Sequence, residues 1–187
     1  MNVYTDIRII PHQGCGIPDI AGMLIDRLHR CFAKSTISFA LAFPGWEQGE
    51  VPKLGDRLRI FCESGSDLDG ILDEVEQDGR LYGFIHLGRS KSVPDDFKGN
   101  WVTFERFRIR QRNCTREDLK EHHAKRRLEQ IGISSTLPWI RVRSQSTGQD
   151  FSISIRKQKH QSRGAPGRAN SYGLSRESNK VFLPELP

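Results

Sequence analysis

No hydrophobic run in the 187-residue chain approaches the roughly 20 residues that a membrane-spanning helix needs. A secretory signal is also missing. The first ten residues alternate like a strand and include Asp6 and Arg8, whereas a signal peptide begins with a basic segment followed by an apolar one. We therefore expect no membrane association and a cytoplasmic location.

Cysteine is scarce and scattered. The chain has neither a CxxC pair nor zinc-finger spacing, and its histidines include no HExxH pattern. The four cysteines are Cys15, Cys31, Cys62 and Cys114. The sequence therefore predicts free thiols in a reducing compartment, and neither a metal nor a cofactor.

The charge is divided unevenly along the chain. Residues 1–100 contain 11 Lys and Arg against 15 Asp and Glu, whereas residues 101–187 contain 18 against 8. The first part is therefore net acidic by 4 charges and the second net basic by 10, for a total of +6. Solubility alone does not require such a division, which is typical of a chain whose second half meets a polyanion.

Hydrophobic periodicity in the first half predicts alternating strands and helices. The predicted strands span residues 4–10, 36–43, 57–62 and 82–87, and the predicted helices span 18–33 and 66–78, the second capped by Ser66. This β-α-β-β-α-β order is the ferredoxin-like arrangement shared by many RNA-binding folds. We predict an α+β protein whose ferredoxin-like domain covers residues 1–95.

The second half predicts a smaller basic α+β domain over residues 96–187. Its first strand, residues 101–112, has arginine at every second position from Arg106, so these side chains share one face. Val102 and Phe104 are also at even-numbered positions, so a regular strand would put these apolar side chains on the same face as the arginines. A β-bulge between the two groups would move them to opposite faces. A basic helix over 115–130, a hairpin of strands 139–143 and 151–156, and a flexible loop over 158–170 are predicted to follow.

An arginine-striped strand beside a basic helix is typical of a nucleic-acid surface. The helix carries Lys120, His123, Arg126 and Arg127, whose charges suit phosphates. Arginines on a strand, such as Arg106 and Arg108, present planar forks that match guanine edges. The alternative is a solvated charged face, which a charged helix alone would also fit.

Cleavage of RNA without a metal needs few groups, because the 2′-OH of the substrate is itself the nucleophile. A base that titrates near neutral pH must accept its proton, and histidine is the natural choice. His29 lies one residue past Leu28, about 100° from the core stripe of its helix, and can face a cleft. Ser144, Ser146 and Thr147 precede Gly148 in a polar turn that is suited to holding a ribose and a phosphate.

Several short segments carry a specific resemblance to the CRISPR repeat-processing endoribonuclease family of subtype I-F. They are residues 143–151 (RSQSTGQDF), residues 171–175 (SYGLS), the C-terminal Val181-Phe182 and Pro184, and the pairs Leu28-His29 and Phe43-Pro44. The resemblance covers the whole chain and is weakest over residues 45–135. It implies one cut at the 3′ base of each repeat stem-loop in precursor crRNA, leaving a 2′,3′-cyclic phosphate and a 5′-OH.

The resemblance also implies a role for each matched residue. His29 would be the general base or proton shuttle, Ser144 would hold the 2′-OH, and Tyr172 would orient His29. Residues that would contact RNA are Arg106 and Arg108 (stem bases), Lys120, His123, Arg126 and Arg127 (phosphates), Ser146 and Thr147 (scissile phosphate and hairpin base) and Phe151 (terminal base pair). The family further implies a monomer that keeps its product and joins the other subunits of the type I-F effector complex. Divergent members also serve transposon-linked systems.

The sequence departs from the family pattern at two places, and two alternative functions remain open. The family often has Gln where this chain has Arg108, and an arginine there favours guanine over adenine. The basic helix is also less rich in arginine than in close relatives and carries Glu121 and Glu129. One alternative is a non-catalytic RNA-hairpin-binding module in which His29 is a bystander. The other is a DNA-binding regulator.

Overall fold

The computed structural model describes residues 1–12, 14–34, 37–109, 117–144 and 147–187, without the side chains of residues 117–121 and 123. Within these ranges the chain forms three helices, α1 (Ile17–Lys34), α2 (Gly65–Glu76) and α3 (Glu117–Ser135). The strands are β1 (Val3–Ile9), β2 (Phe39–Ala42), β3 (Arg57–Cys62), β4 (Ile85–Leu87), β5 (Lys91–Ser92), β6 (Trp101–Phe107), β7 (Trp139–Arg143), β8 (Asp150–His160) and β9 (Leu183–Pro184). The predicted α+β class is confirmed.

The first sheet has the strand order β2-β3-β1-β4, with each neighbouring pair antiparallel. α1 connects β1 to β2 and α2 connects β3 to β4, which is the element order that the periodicity predicted. The predicted strand over 82–87 is wrong at its start, because residues 82–84 form a turn after the 3-10 helix Gly79–Leu81 and β4 begins only at Ile85. The predicted cap of α2 is also wrong, since the side chain that accepts from the Asp67 amide is Ser64.

The second sheet has the order β7-β8-β6-β9. β6 pairs with β8 without interruption from Trp101 opposite His160 to Phe107 opposite Ser154, so the predicted bulge is wrong over this stretch. β6 ends at Phe107, and Arg108 therefore lies beyond the strand instead of on its face. The predicted loop over 158–170 is wrong in its first three residues, because cross-strand hydrogen bonds extend β8 to His160.

The two faces of this second sheet carry different helices. One face, here called the α1 face, includes Phe104, Arg106 and Phe151, and α1 packs against it through β7. The opposite face, the α3 face, includes Glu105, Phe107, Ser154 and Arg156, and the Ser154 hydroxyl lies 2.9 Å from the Ser134 hydroxyl of α3. The assignment follows from strand alternation and the observed register.

Helix α1 lies between the two sheets, and Gly22 allows it to approach β7 closely. An ideal Cβ on Gly22 would lie 1.6 Å from the backbone oxygen of Arg141 in β7. Leu24, Leu28 and Ile25 are fully buried in a core that includes residues of both sheets. The two sheets thus share a continuous apolar core. The predicted division at 95/96 stays a prediction.

Two of the cysteines are buried and the third described one is half-buried. Burial raises the pKa of the Cys62 thiol to about 12 and also raises the pKa of Cys31. Both thiols are therefore protonated at neutral pH, which matches structural cysteines. Cys114 lies outside the described residues. None of the described helices is long and apolar enough to cross a membrane.

Candidate functional site

His29 stands near the C-terminal end of α1, beside the buried Leu28 and at the margin of the core. Its ring is half-buried, and Nδ1 lies 3.1 Å from the backbone carbonyl of Ser171. A carbonyl oxygen only accepts hydrogen bonds, so this contact requires the proton to be on Nδ1. In the neutral imidazole, Nε2 is then the nitrogen that carries the lone pair and can accept a proton. The backbone thus selects the tautomer that a general base needs.

Tyr172 holds the same imidazole from one side. The two rings are stacked, with centroids 4.5 Å apart and planes inclined by 10°. Such a contact favours one rotamer of each ring. His29 is therefore fixed by a hydrogen bond in its plane and by an aromatic face against it.

A tight turn over residues 170–174 presents Tyr172. The side-chain oxygen of Asn170 accepts hydrogen bonds from the backbone amides of Tyr172 and Leu174, at 2.8 and 3.3 Å. Gly173 has a φ of +71°, and its carbonyl accepts from the Leu41 amide of β2 at 2.7 Å. The left-handed conformation explains the glycine, since other residues adopt it only with strain. The turn is thereby anchored to the first sheet.

Arg106 extends the cluster toward the second sheet. Its guanidinium lies 5.2 Å from the ring centre of Tyr172 and 5.6 Å from that of Phe151. Burial, and secondarily the charge of Arg108, lower the pKa of Arg106, while Tyr172 opposes this by its charge and by a hydrogen bond. The structure thus joins four predicted residues, His29, Tyr172, Arg106 and Phe151, in a continuous series of contacts.

The predicted hydroxyl-rich turn closes the β7–β8 hairpin directly before Phe151. The amide and carbonyl of Ser144 bond to Gln149 and Gly148, and the Thr147 amide donates to the Ser144 hydroxyl at 3.3 Å. Gly148 adopts a φ of +69°, as the turn requires. Ser144 is half-buried and Thr147 is exposed. The turn is therefore connected to the His29 cluster through β8 and Phe151. Ser146 lies outside the described residues.

The remaining predicted RNA contacts lie on or near α3. Arg108 and Arg126 line an open groove of about 870 Å³ between α3 and the second sheet, which also reaches Arg106. Arg127 is exposed on α3. The side chains of Lys120 and His123 lie outside the described residues.

Sequence reasoning assigned no role to Asn170 or Ser171, although both hold the cluster in place. Ser171 contributes only its carbonyl, so its side-chain type carries no signal. Asn170 could have been found, because asparagine commonly caps tight turns through its side-chain oxygen and a glycine follows at Gly173. No three His, Cys, Asp or Glu side chains in the described part of the chain are grouped as metal ligands. The prediction that cleavage needs no metal stays a prediction.

Comparison with known proteins adds an independent finding. The sequence model of a family described as CRISPR-associated protein (Cas_Csy4) matches residues 4–184. A CRISPR-associated endonuclease Cas6/Csy4 of Pseudomonas aeruginosa (strain UCBPP-PA14) is 30% identical over 183 residues, which cover 94% of this chain and 96% of that protein. Both similarities extend across nearly the whole chain, and the range matched by the family model contains the positions of all predicted site residues.

Proposed function

Because the chain belongs to the Cas_Csy4 family of CRISPR-associated proteins, we propose that it is the endoribonuclease that cuts precursor CRISPR RNA at the 3′ base of each repeat hairpin. The relative from Pseudomonas aeruginosa is a CRISPR-associated endonuclease, which supports strand cleavage as the activity of this chain. The observation that carries the proposal is the His29 imidazole, held between the Ser171 carbonyl and the Tyr172 ring.

The reaction is a transesterification that uses the substrate's own 2′-OH. Nε2 of His29 accepts the 2′-OH proton as that oxygen attacks the adjacent phosphorus, and the bond from phosphorus to the 5′-oxygen breaks. The 5′-oxygen takes up a proton from water or from the His29 imidazolium that has just formed, which gives a 2′,3′-cyclic phosphate and a 5′-OH. Ser144 and Thr147 hold the ribose and phosphate so that the attacking and leaving oxygens are in line.

Recognition places the scissile phosphate beside the histidine. Phe151, half-buried at the start of β8, stacks under the terminal base pair of the stem. Arg106 and Arg108 contact base edges at the lower stem, and their guanidinium groups match the edge of guanine. Arg126 and Arg127 follow the phosphates, together with Lys120 and His123. The base contacts thus fix the position of the stem on the protein. The cut then falls at the phosphate that lies beside His29 when the terminal base pair stacks on Phe151.

The cut leaves the stem and its contacts unchanged. The enzyme is therefore expected to keep its product, as a subunit that carries the guide RNA into the type I-F effector complex. A monomer bound to one hairpin is expected in size-exclusion chromatography of the purified reaction mixture.

The chemistry is tested with an end-labelled repeat hairpin in excess EDTA. We expect a single cut, with a 3′ end that resists phosphatase until acid opens the cyclic phosphate. A substrate with a single 2′-H just upstream of the cut is expected to bind normally and remain intact, because it has no nucleophile. Cleavage that requires magnesium, or cleavage of the deoxy substrate, contradicts the mechanism. Tight binding with no cleavage of any repeat supports a binding module instead.

Two substitutions at Tyr172 separate the ring from the hydroxyl. Tyr172→Ala removes the surface against which His29 stacks, and we expect single-turnover cleavage to fall by about 100-fold, as misplaced reacting groups do. Tyr172→Phe keeps the stacked ring and is expected to retain most of the rate. Hairpin affinity, measured by filter binding, serves as the control. Equal losses in the two variants would show that the stack does not position the histidine.

A further inference from the structure

The groove between α3 and the second sheet contains two arginines that the mechanism does not use. Arg156 enters it from β8, and Arg176 enters it from the segment that follows the Tyr172 turn. Arg108 and Arg126 also line the groove, so four arginines besides Arg106 meet there, together with three acidic residues, Glu105, Glu129 and Glu177.

Arg156 is held in place by an aromatic ring. Its guanidinium carbon lies 4.5 Å from the ring centre of Phe107, the last residue of β6, and its side chain is half-buried. This stacking orients the planar group while leaving its N–H donors available for other partners. Strand alternation puts Arg156 on the α3 face, opposite the face that carries Arg106 and Phe151.

Arg176 is held by its backbone. Its amide and carbonyl both bond to Asn179, at 3.1 and 3.0 Å, which closes a short turn, and its side chain is exposed. Neither Arg156 nor Arg176 takes part in the ion pairs found among the described residues, and the carboxylate of Glu105, which also lines the groove, is paired with Lys180 at 3.4 Å. Glu129 and Glu177 line the groove as well. Among the described side chains, Arg156 and Arg176 are therefore two groove arginines without a salt-bridge partner, and the ring of Phe107 orients Arg156.

The arrangement fits phosphates better than bases. Arginines spaced along an open groove match the regular charge of a nucleic-acid backbone, and their planar forks bind phosphate oxygens in pairs. The groove begins at the end of β6, where Arg106 and Arg108 also line it, so a stem that contacts these two residues can pass the end of the strand and continue into the groove.

We propose that Arg156 and Arg176 bind the sugar-phosphate backbone of the repeat stem, so that the α3 face of the second sheet is a further part of the RNA-binding surface. This inference rests on the proposed function. It predicts contacts that give affinity without sequence preference and that do not touch the reacting atoms.

The test compares Arg156→Gln and Arg176→Gln with a matched control, Arg163→Gln. Arg163 is also exposed and also lies over an aromatic ring, 5.3 Å from the centre of Trp101, but Trp101 is at the opposite end of β6. Six residues of strand separate the two rings by about 20 Å. Binding of the full-length protein to the repeat hairpin is measured between low and high salt, beside thermal unfolding.

Each groove variant is expected to lose about tenfold in affinity, the value of one charge-assisted hydrogen bond. The slope of log K against log salt should fall by about 1 per variant. The loss should be the same for hairpins with altered stem sequences, and the rate at saturating protein should be unchanged. The Arg163 variant should match the wild type.

The proposal is overturned if the groove variants behave like the Arg163 variant, or if their losses depend on the stem sequence. Since Arg176 is exposed and unstacked, its variant gives this answer even if Arg156→Gln destabilises the sheet. A wild-type protein that fails to bind any repeat hairpin would instead refute the proposed function, and this inference with it.

Discussion

Replacing His29 with alanine is expected to slow cleavage of the repeat hairpin by about 100-fold to 10,000-fold, the usual contribution of a positioned general base. Affinity for the hairpin should stay close to that of the wild type, because the imidazole contributes to proton transfer and not to the binding surface. The half-buried ring packs on Tyr172 and bonds to a backbone carbonyl, so its loss is also expected to loosen the turn over residues 170–174. Single-turnover kinetics at saturating protein measure the chemical step alone.

A second histidine provides the control. His86 lies in β4, is exposed and has no part in the proposed mechanism, so His86→Ala should cleave at the wild-type rate. If His29→Ala cleaves as fast as His86→Ala, His29 is a bystander and the base must be sought elsewhere. If it neither binds nor cleaves, the residue has a structural role that the proposal does not include.

Substitution of Gly22 by alanine is expected to destabilise the fold although alanine is the better helix former. The added methyl group would lie 1.6 Å from the Arg141 carbonyl oxygen and 2.7 Å from its carbon, and neither backbone atom can move without shifting β7. Overpacking of this kind costs typically about 1–3 kcal/mol, and we expect a value at or above the upper end. Urea unfolding monitored by circular dichroism gives the change in free energy of unfolding.

A glycine-to-alanine substitution at Gly70 should change the free energy of unfolding in the opposite direction. Gly70 lies within α2, and an ideal Cβ there meets no heavy atom within 4 Å. Gly70→Ala should therefore stabilise the protein by about 0.5–1 kcal/mol through helix propensity alone. A Gly22→Ala variant that is also stabilised would contradict the close packing of α1 against β7. Because α1 carries His29, the Gly22 variant is further expected to cleave slowly at temperatures where it remains folded.

Local pattern predicted the elements of the first half closely. The helix expected over 18–33 spans Ile17–Lys34, and the strand expected over 57–62 is Arg57–Cys62. Both are long or strongly periodic, and period alone distinguishes a helix from a strand in such segments. Errors arose where hydrogen bonds to other elements set the boundary. β8 reaches His160 because β6 lies beside it, and no local signal within residues 158–160 records that partner.

The short motifs determined the family. RSQSTGQDF, SYGLS and Leu28-His29 identified it from the sequence, and the similarity across residues 4–184 confirms that resemblance. The motifs also supplied the candidate residues, whose individual roles stay predictions. Charge division predicted a basic second half but did not indicate which of its arginines share a surface.

The sequence by itself determined the residue types, the periodicities and the motifs, and hence the α+β class and the family. The tertiary structure alone decided which of these residues meet. His29 and Ser171 are 142 positions apart and are joined only because α1 packs between two sheets and the turn over residues 170–174 bonds to β2. Helical and strand periods act over a few residues, whereas this contact depends on long-range packing at Gly22 and on the backbone conformation of Gly173. Likewise, the register of β6 and β8 puts Arg106 and Arg156 on opposite faces of the second sheet. The charge that the two residues share does not predict this difference.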